Sequence, residues 1–284
     1  MTTKRWIQVA LLACAGQFFS MAAQSANVLF VSDSQTDTNI PGVLTAAGHT
    51  VTTVLDDFQG PDINTVLTGN LAAYNVVVWS ATGNGSGNVH SAATATNLSN
   101  WVNSGGRLFI TGYDSIVSPD DPVLWGLLGG SDGNDVSPSP GAVINVANTL
   151  TTGVVDIRGV TPSGGYTDQD SLSGLGGGTV CVVADTANPG ACHWTLRTLG
   201  SGEIAYVSNG QIGPTSAWAS WTDTSAGGAG AYNAALRNFA FGSGAGPVVP
   251  LAPASIPTLS EWGMIILSSL LALGTILTLR RQRQ

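Results

Sequence analysis

Three short runs of consecutive apolar residues constrain the fold of this chain more than any other feature of the sequence. They lie within residues 27–32, 76–79 and 107–111, and helix-like segments separate them. A strand that is apolar at every position, rather than at every second position, is covered on both faces of its sheet. Strands that alternate with helices at this spacing favour a parallel sheet. The sequence therefore predicts an α/β fold in which helices cover both faces of a parallel sheet.

The remaining segments extend this prediction along the chain. Strands are predicted at 27–32, 50–55, 76–79, 107–111 and 203–208, and helices at 40–47, 63–71, 92–103, 122–128 and 232–241. Two β-rich runs, 179–184 and 191–198, flank a turn-forming segment at 185–190 and predict an antiparallel hairpin. Residues 132–141 and 216–230 are predicted to be loops. The expected fold class is α/β, a flavodoxin-like parallel sheet with antiparallel hairpin additions and a single C-terminal transmembrane helix.

The chain of 284 residues carries few charges, and they are unevenly placed. Only 9% of its residues are charged, against roughly 25% in an ordinary soluble domain. Between Asn27 and Pro250, four arginines stand against sixteen acidic residues, a formal charge of −12. Such a surface repels phosphate backbones, so no nucleic-acid partner is expected. The charge fits either a solvated, exported surface or a site for a divalent cation, and both interpretations stay open.

The N-terminus has the features of a secretory signal peptide. Lys4 and Arg5 supply the positive region, and a short apolar stretch follows at Ile7–Phe19. Small residues within Met21–Ala26 offer a cleavage site, so we predict a signal peptide at 1–26 that the secretion translocon recognises. The stretch is short for a spanning helix, and an uncleaved membrane anchor is the alternative.

The C-terminus contains a second apolar segment with a different role. Gly263–Leu279 has no charge and is near the lower limit of roughly 17 residues for a helix that crosses a bilayer. Trp262 precedes it, and Arg280, Arg281 and Arg283 follow it. Because positive residues remain on the cytoplasmic side, the helix is predicted to run from outside to inside. A buried core helix is the alternative, but it would not explain the arginine cluster.

A short motif stands before this helix, and a segment rich in Gly and Pro at 243–255 links it to the preceding domain. The motif residues are Ile256, Pro257, Thr258, Leu259, Glu261, Trp262 and Gly263. Motif, apolar helix and basic tail, together residues 256–284, resemble the IPTL-CTERM sorting signal of Gram-negative bacteria. The resemblance implies an exosortase-type transpeptidase as partner, which would cut near the motif. It also implies an exported precursor that is anchored in the inner membrane and then becomes a protein of the envelope, the surface or the medium.

The segment between the two termini, residues 27–242, is expected to form one domain. Some of its stretches recur together in a known superfamily: Gly105–Gly106 before a strand that ends at Gly112-Tyr113-Asp114, then 148–153, 199–206 and Asn238. In these stretches the domain resembles the class I glutamine amidotransferase-like superfamily, especially its ThuA-like branch. An active member carries a nucleophilic Cys on the turn after the central strand, and this chain has none there. We therefore expect no amidotransferase activity, no catalytic residues and no cofactor.

An acidic rim is predicted where the parallel strands end, because ligands of open α/β sheets bind beyond the carboxyl ends of the strands. The rim residues are Asp33, Asp37, Asp57, Tyr113 and Asp114. They could hold a cation or the hydroxyl groups of a sugar, with Trp218 and Trp221 stacking on the ring. Ordinary turn carboxylates and partly buried tryptophans are the alternatives. No histidine stands in a metal-ligand spacing, so no metal site is predicted.

Two cysteines, Cys181 and Cys192, lie on the predicted hairpin. In an exported chain this placement favours a disulfide that closes the hairpin. Two free buried thiols, or a zinc site completed by His193, are the alternatives.

The features combine into a prediction of an exported envelope or surface protein. Its domain is predicted to be a non-catalytic module for binding or interaction, because no nucleophile stands beside a base in the sequence pattern. The alternative function is a surface hydrolase or another carbohydrate-active enzyme that uses the acidic rim.

Overall fold

The structure, a computed structural model of the chain, describes most of the predicted α/β domain. The described residues are 25–32, 37–55, 63–81, 91–112, 122–136, 141–163, 169–208, 219–225, 227–228 and 230–241. The chain divides into two compact units, Met1–Pro247 and Val248–Gln284, and all described residues lie in the first. The predicted membrane helix at 263–279 lies outside them. Among the described residues, no helix is long and apolar enough to cross a bilayer.

Within these ranges the chain forms nine strands and six helices. The strands are β1 Asn27–Ser32, β2 Thr50–Leu55, β3 Val76–Ser80, β4 Arg107–Gly112, β5 Ser131–Val136, β6 Gln169–Ser173, β7 Thr179–Ala184, β8 Cys192–Leu199 and β9 Gly202–Ser208. The helices are α1 Asn39–Ala46, α2 Ile63–Leu67, α3 Ala92–Asn103, α4 Pro122–Leu128, α5 Ala219–Thr222 and α6 Gly230–Phe241. Strands and helices alternate from β1 to α4, as the apolar runs predict.

All nine strands belong to one sheet. Five of them, in the order β2-β1-β3-β4-β9, are parallel. Beyond β9 the sheet continues with antiparallel pairing through β8, β6 and β5, and β7 also pairs with β8. The prediction of an α/β fold with a central, mostly parallel sheet and an antiparallel hairpin is confirmed.

The central parallel strands β1, β3 and β4 are buried at successive positions because each face of the sheet covers a separate core. Val28 and Phe30 of β1 point into a core under α1 and α6. Leu29 and Val31 point into a core under α2, α3 and α4. All four side chains are buried. Helices therefore cover both faces, as predicted.

Helix α1 ends at a glycine, as the sequence predicts. Gly48 has a φ of +92°, a conformation that residues with a side chain rarely adopt. The N–H of Gly48 donates to the carbonyl of Thr45 at 3.0 Å, and the N–H of His49 donates to that of Leu44 at 3.1 Å. This pair of bonds is a Schellman motif, and it fixes the backbone of His49 at the entry to β2.

The prediction of a loop at 132–141 is wrong in its first half. Ser131–Val136 forms β5, which pairs antiparallel with β6. Neither strand contains an apolar run, so periodicity does not mark them, and pairing at the end of the sheet decides their structure.

Two smaller differences concern helices. The short helix α5 lies inside the predicted loop 216–230. Helix α2 ends at Leu67 and not at residue 71, because the chain turns at Gly69, whose N–H donates to the carbonyl of Val66 at 3.1 Å.

The predicted disulfide is present and joins β7 to β8. The sulfur atoms of Cys181 and Cys192 are 2.01 Å apart, and the two Cα atoms are 5.7 Å apart. Closing a loop of this size stabilises the folded state by about 2–3 kcal/mol. Because both sulfurs are bonded to each other, the alternative zinc site with His193 is wrong.

An ion pair between β4 and β9 is largely removed from water. Nη2 of Arg107 lies 3.0 Å from Oε2 of Glu203, and the Arg107 side chain is only 6% exposed. The guanidinium also lies over the ring of Phe239, 4.2 Å from its centroid. Burial lowers the pKa of Arg107, and the Glu203 carboxylate counteracts that effect. The carboxylate of Glu203 therefore compensates the buried positive charge of Arg107.

Glu203→Ala is expected to lower the free energy of unfolding by about 3 kcal/mol, because it leaves the guanidinium of Arg107 buried without a counter-charge. Urea denaturation followed by tryptophan fluorescence measures the change. Asp156→Ala is the matched control, since it removes one partner of an exposed ion pair with Arg158, and exposed pairs contribute little. Equal losses in both variants would contradict the expectation.

Candidate functional site

A row of hydroxyl side chains lies at the carboxyl edge of the parallel sheet. Its members are Ser32 on β1, Ser80 on β3, Thr111 on β4 and Ser208 on β9. Ser32 pairs in register with Ser80, and Ser80 with Thr111. All four residues are at most 1% exposed. The apolar strands thus end in buried polar groups, which need hydrogen-bonding partners from the protein, water or a ligand.

The strand order creates a topological switch point between β1 and β3. From β1 the chain passes through α1 to β2 on one side, and it then passes through α2 to β3 on the other side of β1. In open α/β sheets such a reversal opens a crevice at the carboxyl ends of the two central strands, and ligands bind there. Ser32 and Ser80 stand at this point.

Asp37 lies beside the switch point, between β1 and α1, and its side chain is fully buried. Burial raises the pKa of Asp37 to about 6, and the Ser80 hydroxyl, the N–H of Ile40 and the Ser32 hydroxyl each offset part of that rise. Among the described residues, neither carboxyl oxygen has a hydrogen-bonding partner of good geometry. A buried carboxyl in this state costs stability. Such a group beside a crevice is a candidate for function.

The group formed by Asp37, Ser32 and Ser80, here called the switch-point site, has a definite chemistry. At neutral pH most Asp37 carboxyls are ionised, because their pKa of about 6 lies below that pH. A carboxylate accepts hydrogen bonds from hydroxyl or ammonium groups, or it coordinates a hard cation. The two serine hydroxyls can donate or accept. The arrangement is suited to a small polar ligand.

Strand β4 ends in a close contact between backbones at the same edge. Gly112 has a φ of +144°, and a Cβ atom at this position would lie 1.5 Å from the carbonyl oxygen of Ala81. The N–H of Ala81 donates to the carbonyl of Thr111 at 2.7 Å, and Oγ1 of Thr111 donates to the carbonyl of Val207, also at 2.7 Å. A side chain at position 112 would collide with the backbone of Ala81, so only glycine fits there.

Asp37 is the member of the predicted acidic rim that lies within the described residues. Asp33, Asp57, Tyr113 and Asp114 lie outside them, and their place in a site stays a prediction. Sequence reasoning missed the hydroxyl row. A signal for it was present, because each of these strands has Ser or Thr directly after its apolar run.

Trp221 belongs to the core and not to a ligand-binding surface. It is 1% exposed, and its ring packs edge to face against Phe109 and Tyr232, with centroids 6.1 Å and 6.0 Å away. The hypothesis that Trp221 stacks on a sugar is therefore wrong. Trp218 lies outside the described residues.

The histidines of the described residues are buried away from solvent. Nδ1 of His49 accepts a hydrogen bond from the N–H of Ala26 at 3.1 Å. Nε2 of His193 lies 3.8 Å from Oδ2 of Asp185. Burial lowers the pKa of both imidazoles. In the part of the chain that the structure describes, no group of three metal-ligating side chains occurs.

Two stretches that carry the superfamily resemblance meet at Asn238 of α6. Nδ2 of Asn238 donates to the carbonyls of Leu150 and Val155 at 3.0 Å and 2.6 Å. Its Oδ1 accepts from the N–H of Val155 at 2.8 Å. The side chain thus fastens the loop after residue 148 to the last helix of the domain, which is a structural role.

Comparison with known families places a signal at the C-terminus. The IPTL-CTERM motif matches residues 254–283, which include the predicted motif and membrane helix. This signal suggests an exported protein that is directed to the cell envelope and processed by an exosortase-type system. No curated protein matches the chain in sequence.

Several solved structures resemble parts of the chain at low similarity. A β-galactosidase from Rahnella sp. R3 is 13% identical, with a TM-score of 0.43, over 65% of this chain and 29% of that enzyme. An exo-β-1,4-mannosidase from an Opitutaceae bacterium is 13% identical, with a TM-score of 0.43, over 82% and 39%. A ThuA-like protein from Parabacteroides merdae is 12% identical, with a TM-score of 0.39, over 66% and 79%. The chain spans less than half the length of the two glycosidases, and similarity at this level assigns no function.

Asp37→Asn is expected to stabilise the folded protein at neutral pH. The folded state keeps the Asp37 proton up to about pH 6, whereas an unfolded carboxyl loses it near 3.8. The unfolded state therefore binds fewer protons between these values, and the stability of the parent falls as pH rises through this window. The loss amounts to about 2–3 kcal/mol at pH 7, and the amide avoids it. Urea unfolding of both proteins at pH 4 and pH 7 measures the difference.

Asp156→Asn is the control for this comparison. Hydrogen bonds from Arg158 lower the pKa of the exposed Asp156 carboxyl to about 2, so its stabilising effect is lost as pH falls rather than as it rises. An Asp37→Asn variant that is less stable than the parent at pH 7 would mean that the carboxylate has a stabilising partner.

Proposed function

We propose that this chain is an exported protein of the Gram-negative cell envelope, sorted by its C-terminal signal, whose domain binds a ligand without transforming it. The observation that carries the proposal is the IPTL-CTERM match at residues 254–283. The signal-peptide pattern at 1–26 supports it independently. A chain that enters the translocon by its N-terminus and is stopped by a C-terminal helix leaves its domain outside the inner membrane.

The sorting step follows from the order of the three parts of the signal. Pro257 favours an extended backbone in the motif, which a transpeptidase can accept in its groove. The helix at 263–279 holds the motif at the bilayer, and the arginines after it remain in the cytoplasm. Cleavage near the motif would then free the domain from the helix, so the membrane-anchored form is a precursor.

Two properties of the domain support a location outside the cytoplasm. The Cys181–Cys192 disulfide persists in oxidising compartments, whereas cytoplasmic thiols are kept reduced. The formal charge of −12 between Asn27 and Pro250 keeps an exported domain soluble.

The binding function is proposed for the switch-point site. Asp37 supplies a buried carboxylate at the place where open α/β sheets bind ligands, and Ser32 and Ser80 supply hydroxyls. The ligand would be a cation or a small molecule rich in hydroxyl groups. The strand order supports a flavodoxin-like sheet, and kinship to the ThuA-like branch of the amidotransferase-like superfamily is part of the same proposal.

The positions of the cysteines favour binding over catalysis, because none is available as a nucleophile. The chain has three, of which Cys14 belongs to the predicted signal peptide and the other two form the disulfide. At the place after β4 where an active amidotransferase carries its nucleophilic Cys, this chain has Tyr113 and Asp114. A carbohydrate-active enzyme remains the second candidate, since carboxylates of the acidic rim are the groups such an enzyme uses.

Processing is tested by mass spectrometry of the C-terminal peptide of the protein recovered from the cell surface. We expect the mature chain to end near residues 256–263, and Pro257→Ala to leave the full-length precursor in the inner membrane. Pro253→Ala changes a proline of the linker and is expected to be processed normally. Surface protein that retains Arg280, Arg281 and Arg283 would contradict the proposal.

Binding at the switch-point site is tested by thermal unfolding with Ca²⁺, glucose, galactose or mannose. A ligand present at about 100 times its Kd stabilises the folded state by about 2.7 kcal/mol. We expect at least one of these probes to raise the Tm of the parent and of Asp156→Asn, but not that of Asp37→Asn. Equal Tm shifts in all three proteins would mean that the probe binds at another site and would contradict the proposal.

A further inference from the structure

The first residues that the structure describes already belong to the fold. Ala26 is 8% exposed and lies in the core under α1 and α6. Its N–H donates to Nδ1 of His49 at 3.1 Å, and its carbonyl accepts from the N–H of Thr50 at 3.0 Å. The carbonyl of Ala26 thus accepts the first hydrogen bond of the β1–β2 ladder, in which Asn27 is paired with Thr50. Ser25, the residue before it, is exposed.

The acceptor for Ala26, His49, is held in place through its backbone and through its ring. The Schellman motif at Gly48 fixes the backbone of His49. The imidazole packs against the ring of Phe241, with centroids 4.3 Å apart, and is 4% exposed. Burial lowers the pKa of His49 and so favours the neutral ring, whose Nδ1 can accept the hydrogen bond from Ala26. The fold thus contains a fixed receptor for the nitrogen of Ala26.

This receptor constrains where the predicted signal peptide is removed. Signal peptidases require small residues at the first and third positions before the cut. A cut after Ala26 would place Gln24 at the third position, and a cut after Ala23 would place Met21 there. A cut after Ser25 places Ser25 and Ala23 at the two positions, and both are small. A cut after Ala22, with Ser20 at the third position, also meets the size rule, but it would leave three further residues in front of the first buried residue. A cut after Ala26 would also remove a buried residue from the core.

We infer that signal peptidase cuts between Ser25 and Ala26, so that the mature domain begins at Ala26 and its new α-amino group donates a hydrogen bond to Nδ1 of His49. The inference rests on the export proposed above and shortens the predicted signal peptide from 1–26 to 1–25. Water adds across the peptide bond, so that Ser25 leaves with the new carboxylate and Ala26 keeps the nitrogen as an ammonium group.

The first test is the N-terminal peptide of the full-length protein after export from a Gram-negative cell, read by mass spectrometry. An N-terminus at Ala26 is expected. An N-terminus at Asn27, at Gln24 or at Ala23 would overturn the inference while leaving export intact. A chain that keeps Met1 and stays in the cytoplasm would overturn both the inference and the proposed export.

Substitutions around the cut distinguish the four candidate bonds, after Ala22, Ala23, Ser25 and Ala26, without relying on the fold of the domain. Ser25→Tyr and Ala23→Tyr each place a bulky side chain at a restricted position, and both are expected to leave uncleaved precursor. Gln24→Tyr lies between these positions, is of the same size, and is expected to be cleaved normally. Loss of cleavage in Gln24→Tyr would indicate the bond after Ala26 and overturn the inference.

The role of His49 is tested with two exported chains that differ by one residue. A foreign signal peptide is placed directly before Ala26 or directly before Asn27, and the rest of the chain is unchanged. The chain that begins at Asn27 is expected to have a Tm lower by about 2–6 °C, because it lacks a buried residue and a hydrogen bond. In the His49→Phe background, which keeps an aromatic ring but no acceptor, this difference is expected to shrink. Equal Tm values of the two chains with His49 present would overturn the inference.

Discussion

Burial of the central parallel strands β1, β3 and β4 on both faces is the constraint on which the rest of the structure depends. Strand β1 lies between β2 and β3, and its residues alternate between two separate cores. No polar side chain is tolerated within such a strand unless it is paired, because it would face apolar groups whichever way it pointed. Polar residues are therefore displaced to the two ends of the strands, and the chemistry of this domain is found at those two edges.

The two edges differ in how their polar groups are satisfied. At the amino edge Arg107 pairs with Glu203, and the nitrogen of Ala26 pairs with His49. At the carboxyl edge Asp37 is fully buried, with a carboxyl whose pKa burial raises. The polar groups at the amino edge are therefore paired, whereas the carboxyl edge loses stability at neutral pH through Asp37, the group for which we propose a role in binding. The paired groups and the proposed binding site thus lie at opposite ends of the same strands.

The antiparallel half of the sheet extends this scaffold without taking part in the switch point. The hairpin β7–β8 is closed by the Cys181–Cys192 disulfide, and β8 joins it to β9. Helix α6 returns to the parallel half, where Asn238 fastens the loop after residue 148. A cross-link and a side-chain clamp of this kind suit a protein that must persist outside the cell's reducing interior.

The sequence by itself determined the sorting signal, the order of most strands and helices, and the pairing of Cys181 with Cys192. These features are local: an apolar run, a helix stop at Gly48, or two cysteines on one hairpin can be recognised from neighbouring residues. The polar strands β5 and β6 could not be predicted, because neither carries an apolar pattern and only their position at the end of the sheet makes them strands.

Only the tertiary structure decided which distant residues meet. Asp37 was predicted as one of several rim carboxylates, but its burial beside Ser32 and Ser80 follows from the reversal of strand order at β1. For Trp221 the sequence leaves open whether it stacks on a sugar or is partly buried, and the structure places it in the core beside Phe109. The physical reason is the same in both cases: periodicity records which faces of an element are apolar, and it does not record which element lies against each face.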